Sequence, residues 1–205
     1  MSDRKFLDTV YDLDGAETTR AFYDAWSDSY DREVADNGYA TPGRIADALL
    51  RFQTDRNAPV LDLGCGTGIS GAALRAAGFS VLDGSDFSAE MLALARAKGI
   101  YRKLMQADMT DPMPFADAAY ATIAAVGVLN PGHAPAAVLD DMIGKLPPGG
   151  VSVFSLNDHA LADPSYEGRM NEHLDAGSAV LLFREHGAHL PKIDLESSVY
   201  VLRKT

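Results

Sequence analysis

The sequence predicts an α/β fold in which a mostly parallel β-sheet carries helices on both faces. From about residue 58 onward, short apolar segments of strand character alternate with helical segments. That alternation is typical of parallel strands joined by helical crossovers. The last two strand-like segments are separated only by Glu185 to Glu196, which is too short for a helical crossover. We therefore expect the chain to end in an antiparallel pair of strands.

Residues 1–57 have a different character and are predicted to form a helical N-terminal cap on a core of residues 58–205. Phe22, Trp26 and Tyr30 recur at a spacing of four, which places them in one stripe of a helix. Packing on the core explains this stripe, and the stripe is also able to form one wall of a site. Thr41 and Pro42 predict a second helix, with Thr41 as its N-cap and Pro42 in its first position.

The core elements follow from apolar runs and from the residues that end them. Gly78 indicates the end of one helix, Ser88 caps the start of the next, and Pro147 stops a third. An inserted helix is expected within Ala162 to Gly177, where it would lie over the sheet. The expected strands are Pro59–Leu63, Phe79–Leu82, Lys103–Ala107, Tyr120–Val126, Val151–Leu156, Ala179–Arg184 and Ser197–Arg203, and the expected core helices are Ile69–Ala77, one from Ser88 to about Lys98, and Ala134–Leu146.

The charge balance narrows the classes of partner. The 205 residues include 18 Lys and Arg against 29 Asp and Glu, which gives a net charge of −11. The densest basic stretches are only Arg102-Lys103 and Arg203-Lys204, whereas a phosphate backbone is bound through clustered cations. We therefore expect no nucleic-acid partner and no anionic membrane surface, and a small neutral or cationic ligand fits the balance better.

Several other classes of protein are not expected either. No apolar run approaches the roughly 20 residues of a membrane span, and no long apolar stretch follows the first residues as in a secretory signal. The single cysteine allows no internal disulfide and no cysteine zinc site, and the histidines show no spacing typical of a metal site. These features together predict a cytoplasmic protein without a structural metal.

A glycine-rich loop follows the first predicted strand and admits two interpretations. Gly66, Gly68 and Gly71 match the pattern G-x-G-x-x-G, and Asp86 lies 20 residues after Gly66, as in a dinucleotide-binding loop. In such a loop the first glycine follows the strand directly, whereas Gly64-Cys65 intervene here. The register therefore disfavours a nicotinamide cofactor.

The second interpretation starts from the acidic residue at the end of that strand. Asp62 would repel a pyrophosphate, and it suits a ligand that carries an ammonium group. Val60 to Gly68, with the sequence VLDLGCGTG, resembles the first motif of the class I S-adenosylmethionine-dependent methyltransferases. Asp86, Ala107 to Met109 and Leu146 to Gly150 resemble later motifs of the same family in the same order. The resemblance implies a Rossmann-like, seven-stranded methyltransferase fold with an antiparallel last strand.

A narrower resemblance is to the methyltransferase-like proteins of the Williams–Beuren syndrome region. It does not identify the methyl acceptor. The segments that carry it are Tyr30-Asp31, Gly38-Tyr39 with Pro42, Val126 to Leu129, Gly132 to Pro135, and Tyr200 to Lys204.

The family resemblance implies roles for the residues of the loop and the strand ends. Asp62 would hold the methionyl ammonium of S-adenosylmethionine, directly or through water, or would cap the turn. Asp86 would accept hydrogen bonds from both ribose hydroxyls, although it is also placed to cap the helix that begins near Ser88. The other loop residues expected to contact the cofactor are Leu63, Gly64, Cys65, Gly66 and Gly68.

Later motifs imply contacts to the adenine and to the methionine end. Phe87 would cover one adenine face, Asp108 would accept from the adenine amino group, and the backbone N–H of Met109 would reach a ring nitrogen. Val126 and Gly127 would lie beside the methionine end of the cofactor. Core packing for Phe87 and Val126, and a solvated loop for Asp108, are the alternatives.

Residues outside the cofactor motifs are candidates for the acceptor side. Tyr30 and Tyr39 would lie over the site from the cap, or would only pack. His133 is the candidate general base, because its ordinary pKa of about 6.5 lets it take a proton near neutrality; a helix-entry histidine bonded to backbone is the alternative. Asn157 to His159 follow the fifth core strand and are placed either to line the acceptor pocket or to cap a polar loop.

The function expected from these residues is methyl transfer from S-adenosylmethionine to a small-molecule acceptor by in-line displacement, with S-adenosylhomocysteine as the product. A protein that binds S-adenosylmethionine or S-adenosylhomocysteine for regulation, without turnover, is the second hypothesis. An NAD(P)-dependent oxidoreductase is the third, and binding of NAD(P) without binding of S-adenosylmethionine would favour it.

Overall fold

The centre of the molecule is one seven-stranded β-sheet, which the computed structural model describes within residues 16–205, with side chains from residue 18 onward. The strand order is β3-β2-β1-β4-β5-β7-β6. The first five strands are parallel to one another, and β7 is antiparallel to both of its neighbours. The strands are β1 (Val60–Leu63), β2 (Leu82–Asp86), β3 (Lys103–Gln106), β4 (Thr122–Ala125), β5 (Val151–Asn157), β6 (Ala179–Leu190) and β7 (Leu195–Lys204).

Helices cover both faces of this sheet, as the sequence predicts. Side chains of successive strand residues point to opposite faces, so Val153 packs in one buried cluster with Ile45 of α2, and Phe154 packs in the other with Met142 of α5. The expected mostly parallel α/β fold with an antiparallel last strand is confirmed. The helices are α1 (Ala16–Asp36), α2 (Thr41–Phe52), α3 (Ile69–Ala76), α4 (Ala89–Ala97), α5 (Val138–Lys145), α6 (Asp158–Ala162) and α7 (Pro164–Asp175).

The larger differences from the sequence prediction lie at three places in the chain. The second strand begins at Leu82 and not at Phe79, because the N–H of Phe79 donates to the carbonyl of Leu74 and closes the end of α3. The expected helix start at Ala134 is wrong because that residue forms bridges with the turn after β4, and α5 begins at Val138. The last two strands extend to Leu190 and from Leu195, so they form a longer hairpin than expected.

The start of α2 is also different in detail. Ala40 occupies the N-cap position, and Thr41 does not cap the helix. Its hydroxyl lies 2.7 Å from Nδ1 of His189 and 3.1 Å from the hydroxyl of Ser197, because the helix is buried against the terminal hairpin. Among the described residues, no helix combines the length and the hydropathy that a membrane span requires.

Candidate functional site

A cavity of about 380 Å³ lies at the carboxyl ends of the parallel strands. This is the edge at which open α/β sheets bind ligands. The loop after β1 forms part of its floor, the ends of β2 and β4 and the segment after β3 form further walls, and α1 and the start of α7 close it from above. The lining residues are Thr19, Tyr23, Tyr30, Gly64, Gly66, Asp86, Phe87, Met91, Asp108, Met109, Thr110, Val126, Gly127, Val128, Asn130, Pro131, Gly132, His133, Pro135, Ala136, Asp163, Ser165 and Tyr166.

The glycine loop makes room for the cavity because it has no side chains there. Gly64 has φ +69°, and a Cβ at this position would lie 2.6 Å from Cγ2 of Val128. The backbone N–H groups of Gly64 and Cys65 both donate to the carbonyl of Ser85, which fastens the loop to β2. Gly66 has φ +52°, and a Cβ at this position would have no neighbour within 4 Å, so its backbone faces open space. Glycine is required at Gly64 for both conformation and space.

Asp86 presents a buried carboxylate to the cavity at the end of β2. Only 6% of the residue is exposed. One oxygen, Oδ2, accepts from the N–H of Gly66 at 2.8 Å, and the other, Oδ1, accepts from the N–H of Ser88 at 2.9 Å. Burial raises the pKa of Asp86 to about 6 despite these donors. Each carboxylate oxygen has a further lone pair, so Asp86 is able to accept from two hydroxyl groups of a ligand.

Phe87, after β2, and Asp108 and Met109, after β3, line one edge of the same cavity. These half-buried side chains form its lip. Asp108 accepts from the N–H of Thr110 at 2.9 Å and lies 4.0 Å from the guanidinium of Arg20 on α1. That guanidinium is 6.0 Å from the ring centroid of Phe87. Met109 also lines the cavity, so an acidic acceptor, a flat aromatic face and an apolar side chain lie on one side of it.

Asp62 is not among the cavity-lining residues, although it precedes the glycine loop directly. It is fully buried, and its Oδ2 accepts from the hydroxyls of Ser70 and Tyr101, each at 2.6 Å. Burial raises the pKa of Asp62 to about 6. Its Oδ2 therefore serves the second of its expected roles, that of holding the turn, while its Oδ1 is buried without a partner among the described residues. The expected contact to a ligand ammonium stays a prediction.

Four other predicted cofactor residues also lie outside the lining of this cavity. Leu63 is part of a core cluster, and Cys65 is buried with burial raising the pKa of its thiol. A Cβ on Gly68 would lie 3.2 Å from the ring of Tyr101, so that glycine faces packed side chains. The fourth, Tyr39, lines a smaller neighbouring cavity. Leu63 and Cys65 thus face the core on either side of Gly64, which faces the cavity.

The sequence allows two roles for the first helix, packing alone or one wall of a site. In the structure the helix forms one wall of the cavity. The hydroxyl of Thr19 donates to the carbonyl of Gly132 at 3.0 Å. The ring of Tyr23 lies 6.0 Å from that of Phe87 and 5.3 Å from that of His133, measured between centroids. Helix α1 therefore bridges the loops that follow β2 and β4.

Polar contacts also connect the same helix to the loop after β1 and to both ends of α4. Asp31 accepts from the hydroxyl of Thr67 and lies 2.7 Å from Nζ of Lys98. Asp24 accepts from the hydroxyl of Ser88, the N-cap of α4. The spacing of four in the sequence singles out Phe22, Trp26 and Tyr30 and does not include Tyr23, which follows Phe22. The place of Tyr23 in the cavity wall is therefore not predicted.

His133 also lines the large cavity. Its Nδ1 lies 3.4 Å from the carbonyl oxygen of Pro131, and its Nε2 is buried without a partner among the described residues. Burial lowers the pKa of His133, so the neutral imidazole is favoured near neutral pH. The segment Asn157 to His159 lies outside the lining: Asn157 caps α6 through the N–H of Ala160, and Asp158 accepts from the N–H of Glu196.

A smaller cavity of about 30 Å³ adjoins the large one. Tyr23, Tyr30, Gly127, Asn130 and His133 line both, so they mark the boundary between the two spaces. The other lining residues of the small cavity are Trp26, Val34, Tyr39, His189 and Leu190.

The chain is similar to known proteins over this core. Residues 60–150 match the model of a family described as methyltransferase domain. The chain is 35% identical over 124 residues to Methyltransferase-like protein 27 of Homo sapiens, with 59% of this chain and 51% of that protein covered. It is 37% identical over 139 residues to demethylmenaquinone methyltransferase of Clavibacter sepedonicus, with 63% of this chain and 54% of that protein covered. The chain thus spans about half the length of these curated relatives.

The fold is similar to that of a methyltransferase solved in complex with the Haloferax volcanii Trm112 methyltransferase activator. The two share a TM-score of 0.68 and 20% identity, with 89% of this chain and 96% of that chain covered. The match to the human methyltransferase-like protein agrees with the Williams–Beuren-region resemblance of the sequence motifs.

Proposed function

We propose that this chain, whose residues 60–150 match a methyltransferase-domain model, is a class I S-adenosylmethionine-dependent methyltransferase, that its large cavity binds S-adenosylmethionine, and that the methyl group passes to a small-molecule acceptor. One observation carries the proposal. The glycine loop, the buried carboxylate of Asp86 and the acidic lip at Asp108 all line the same cavity. The order of these groups along the chain is the order of the family's motifs.

The residues present fit this cofactor. Gly64 and Gly66 line the cavity without a side chain, so their backbone would be accessible to the cofactor there. Asp86 would accept from the ribose hydroxyls, Phe87 would cover the adenine, and Asp108 with the N–H of Met109 would bind the adenine edge. Val126 and Gly127 would lie beside the methionine end, and Tyr30 would approach it from α1. Asp62 would act indirectly, because it holds the loop through Ser70.

The chain's own contribution to the reaction is alignment and exclusion of water. S-adenosylmethionine supplies an electrophilic methyl group on a sulfonium. Good alignment of two reactants is worth about 7–11 kcal/mol of an activation barrier. Helix α1 bridges the loops after β2 and β4 through Thr19 and Tyr23, and it thereby covers the cavity against solvent.

The acceptor is proposed to be a small molecule and not a nucleic acid. The cavity of about 380 Å³ lies within the range of about 300–1,000 Å³ that small-molecule sites occupy, and the acceptor would share it with the cofactor. None of the described residues that line the cavity is Lys or Arg, so the lining offers no cation to a phosphate. His133 is the candidate general base, since its neutral imidazole lines the same cavity as Asp86.

Calorimetric titration with S-adenosylhomocysteine, S-adenosylmethionine and NADH tests the proposal. The wild-type protein should bind the first two, and Asp86→Ala should weaken them by about 1.5–3 kcal/mol through loss of charge-assisted hydrogen bonds. Asp47→Ala, which removes an exposed charge on α2, is the matched control and should bind as the wild type does. NADH binding in place of these ligands would overturn the proposal.

A further inference from the structure

Two buried hydrogen-bond acceptors lie where the large and small cavities meet. Asn130 is only 3% exposed, and its side-chain oxygen Oδ1 has no partner among the described residues. Nε2 of His133 is likewise buried without a partner there. Both residues line both cavities. A buried acceptor without a donor destabilises a protein, so two of them at one boundary point to a ligand that supplies donors.

The tautomer of His133 makes its Nε2 an acceptor. Nδ1 lies 3.4 Å from the carbonyl oxygen of Pro131, and only a protonated nitrogen forms a favourable contact with a carbonyl oxygen. The hydrogen of the neutral imidazole therefore resides on Nδ1, and the lone pair resides on Nε2. Burial, which lowers the pKa of His133, keeps the second proton off the ring near neutral pH.

Two acceptors at one place favour a nucleophile with two hydrogens. A neutral primary amine donates two N–H groups and keeps its lone pair for attack. A hydroxyl or a thiol has a single hydrogen and would leave one of the two acceptors unpaired, which costs as much as an unmade buried hydrogen bond. The count of acceptors thus distinguishes nitrogen from oxygen and sulfur.

The small cavity suits a single amino group. Its volume of about 30 Å³ exceeds the roughly 10–15 Å³ that one water-sized group requires, so an amino group has room there. No Asp, Glu, Lys or Arg is among the described residues that line it, so desolvation there favours the neutral amine over the ammonium. The rings of Tyr23, Trp26 and Tyr30 line it as well, and aromatic faces attract a cation that forms beside them.

We propose that the methyl acceptor is a primary amine whose nitrogen donates to Asn130 Oδ1 and His133 Nε2; this rests on the proposed function. The lone pair of the nitrogen forms the N–C bond as the C–S bond breaks, and the electron pair of that bond stays on sulfur as the thioether of S-adenosylhomocysteine. The methylated nitrogen then carries the positive charge. It releases one proton to Nε2 of His133, and from there the proton passes to solvent.

The first experiment measures binding to protein saturated with S-adenosylhomocysteine, which separates the acceptor from the cofactor. The probes are benzylamine and hexylamine, each beside its alcohol analogue, at millimolar concentrations. With the amine concentration counted as that of its neutral form, each amine should bind about tenfold or more tightly than its alcohol, the ratio expected for one unpaired buried acceptor. With S-adenosylmethionine, mass spectrometry should find the N-methylated amine. Equal binding of amine and alcohol, no binding of either amine, or methylation of the alcohol instead would overturn the proposal.

Variants then assign the effect to the two acceptor atoms. Asn130→Leu should weaken benzylamine about tenfold or more, whereas Asn130→Asp, which keeps the acceptor, should retain binding. Because Nδ2 of Asn130 also donates to the carbonyl of Val128, at 3.4 Å, urea denaturation of Asn130→Leu accompanies the binding measurement and should show that the variant is folded. Asn171→Leu on the exposed face of α7 is the matched control and should change nothing.

The affinity for S-adenosylhomocysteine in the same variants separates the two proposals. It should stay near the wild-type value in Asn130→Leu and in His133→Leu. If these variants weaken S-adenosylhomocysteine as much as Asp86→Ala does, the two acceptors serve the cofactor, and the amine proposal is wrong while the proposed function stands. If the wild-type protein binds no S-adenosylhomocysteine at all, the proposed function fails first.

Discussion

Replacing Gly64 by alanine tests whether the glycine loop is shaped by the space beneath it. The residue has φ +69°, which costs an alanine about 1–2 kcal/mol. Its Cβ would also lie 2.6 Å and 2.9 Å from the two Cγ atoms of Val128. Val128 is buried, and a β-branched side chain has few other rotamers. Overpacking of this kind adds about 1–3 kcal/mol, so Gly64→Ala should lower the free energy of unfolding by about 2–5 kcal/mol.

Gly99→Ala is the matched control for the backbone contribution. Gly99 has φ +64°, but no atom lies within 4 Å of a Cβ built there. This variant should therefore lose only the conformational cost of about 1–2 kcal/mol. In a Gly64→Ala, Val128→Ala double variant the clash is gone, so its destabilisation should be smaller than the sum of the single variants by about 1–3 kcal/mol.

Urea denaturation of the wild type, the three single variants and the double variant gives the free energies of unfolding, and titration with S-adenosylhomocysteine gives the affinities. Gly64→Ala should also lose more than about tenfold in affinity, because the residue lines the cavity, while Gly99→Ala should bind normally. Equal destabilisation by Gly64→Ala and Gly99→Ala would refute the reasoning, since it would show that the space beneath the loop is not limiting.

The remaining predictions concern the buried carboxylates and the first helix. The affinity for S-adenosylhomocysteine should rise as the pH increases through about 6, because ligand hydroxyls favour the ionised form of Asp86, whose pKa burial raises to about 6; Asp86→Asn should remove this dependence. The pKa of Asp62 is also raised above its ordinary value, to about 6. Protonation of Asp62 therefore favours the folded state, and its contribution to the free energy of unfolding is lost as the pH rises through 6. Tyr101→Phe removes a donor to the ionised Asp62, and urea denaturation should show a loss of about 1–3 kcal/mol near pH 8 and a smaller loss near pH 5; equal losses would contradict this account. S-adenosylhomocysteine should slow amide hydrogen exchange across α1 (Ala16–Asp36), because that helix forms a wall of the cavity, and unchanged exchange would argue against its role.

The parts of the site that the sequence predicts are those whose local chemistry is sufficient by itself. A glycine with positive φ directly after a strand must make a tight turn, so Gly64 and Gly66 could be placed on the cavity from their positions alone. Asp86 lies beyond the predicted end of the second strand, and it is placed with them by the resemblance of its segment to a family motif; in the structure it ends β2 at the same sheet edge. These residues need no knowledge of distant partners.

The parts that the sequence does not predict depend on contacts between distant segments. Asp62 is held beneath the loop by Ser70 and by Tyr101, which is 39 residues away, and no local pattern indicates that pairing. Tyr23 became a wall residue only because α1 crosses between the loops after β2 and β4. Phe79 reads as the start of a strand because it is apolar, but it is buried where the chain leaves α3.

A crystal structure of the protein with S-adenosylhomocysteine tests the central claim most directly. The account predicts that the ligand fills the large cavity, with both ribose hydroxyls on Asp86, the adenine against Phe87, and the sulfur at the boundary marked by Gly127 and His133. A ligand bound at another surface, or a ribose that makes no contact with Asp86, would contradict the proposal that this cavity is the methyl-transfer site.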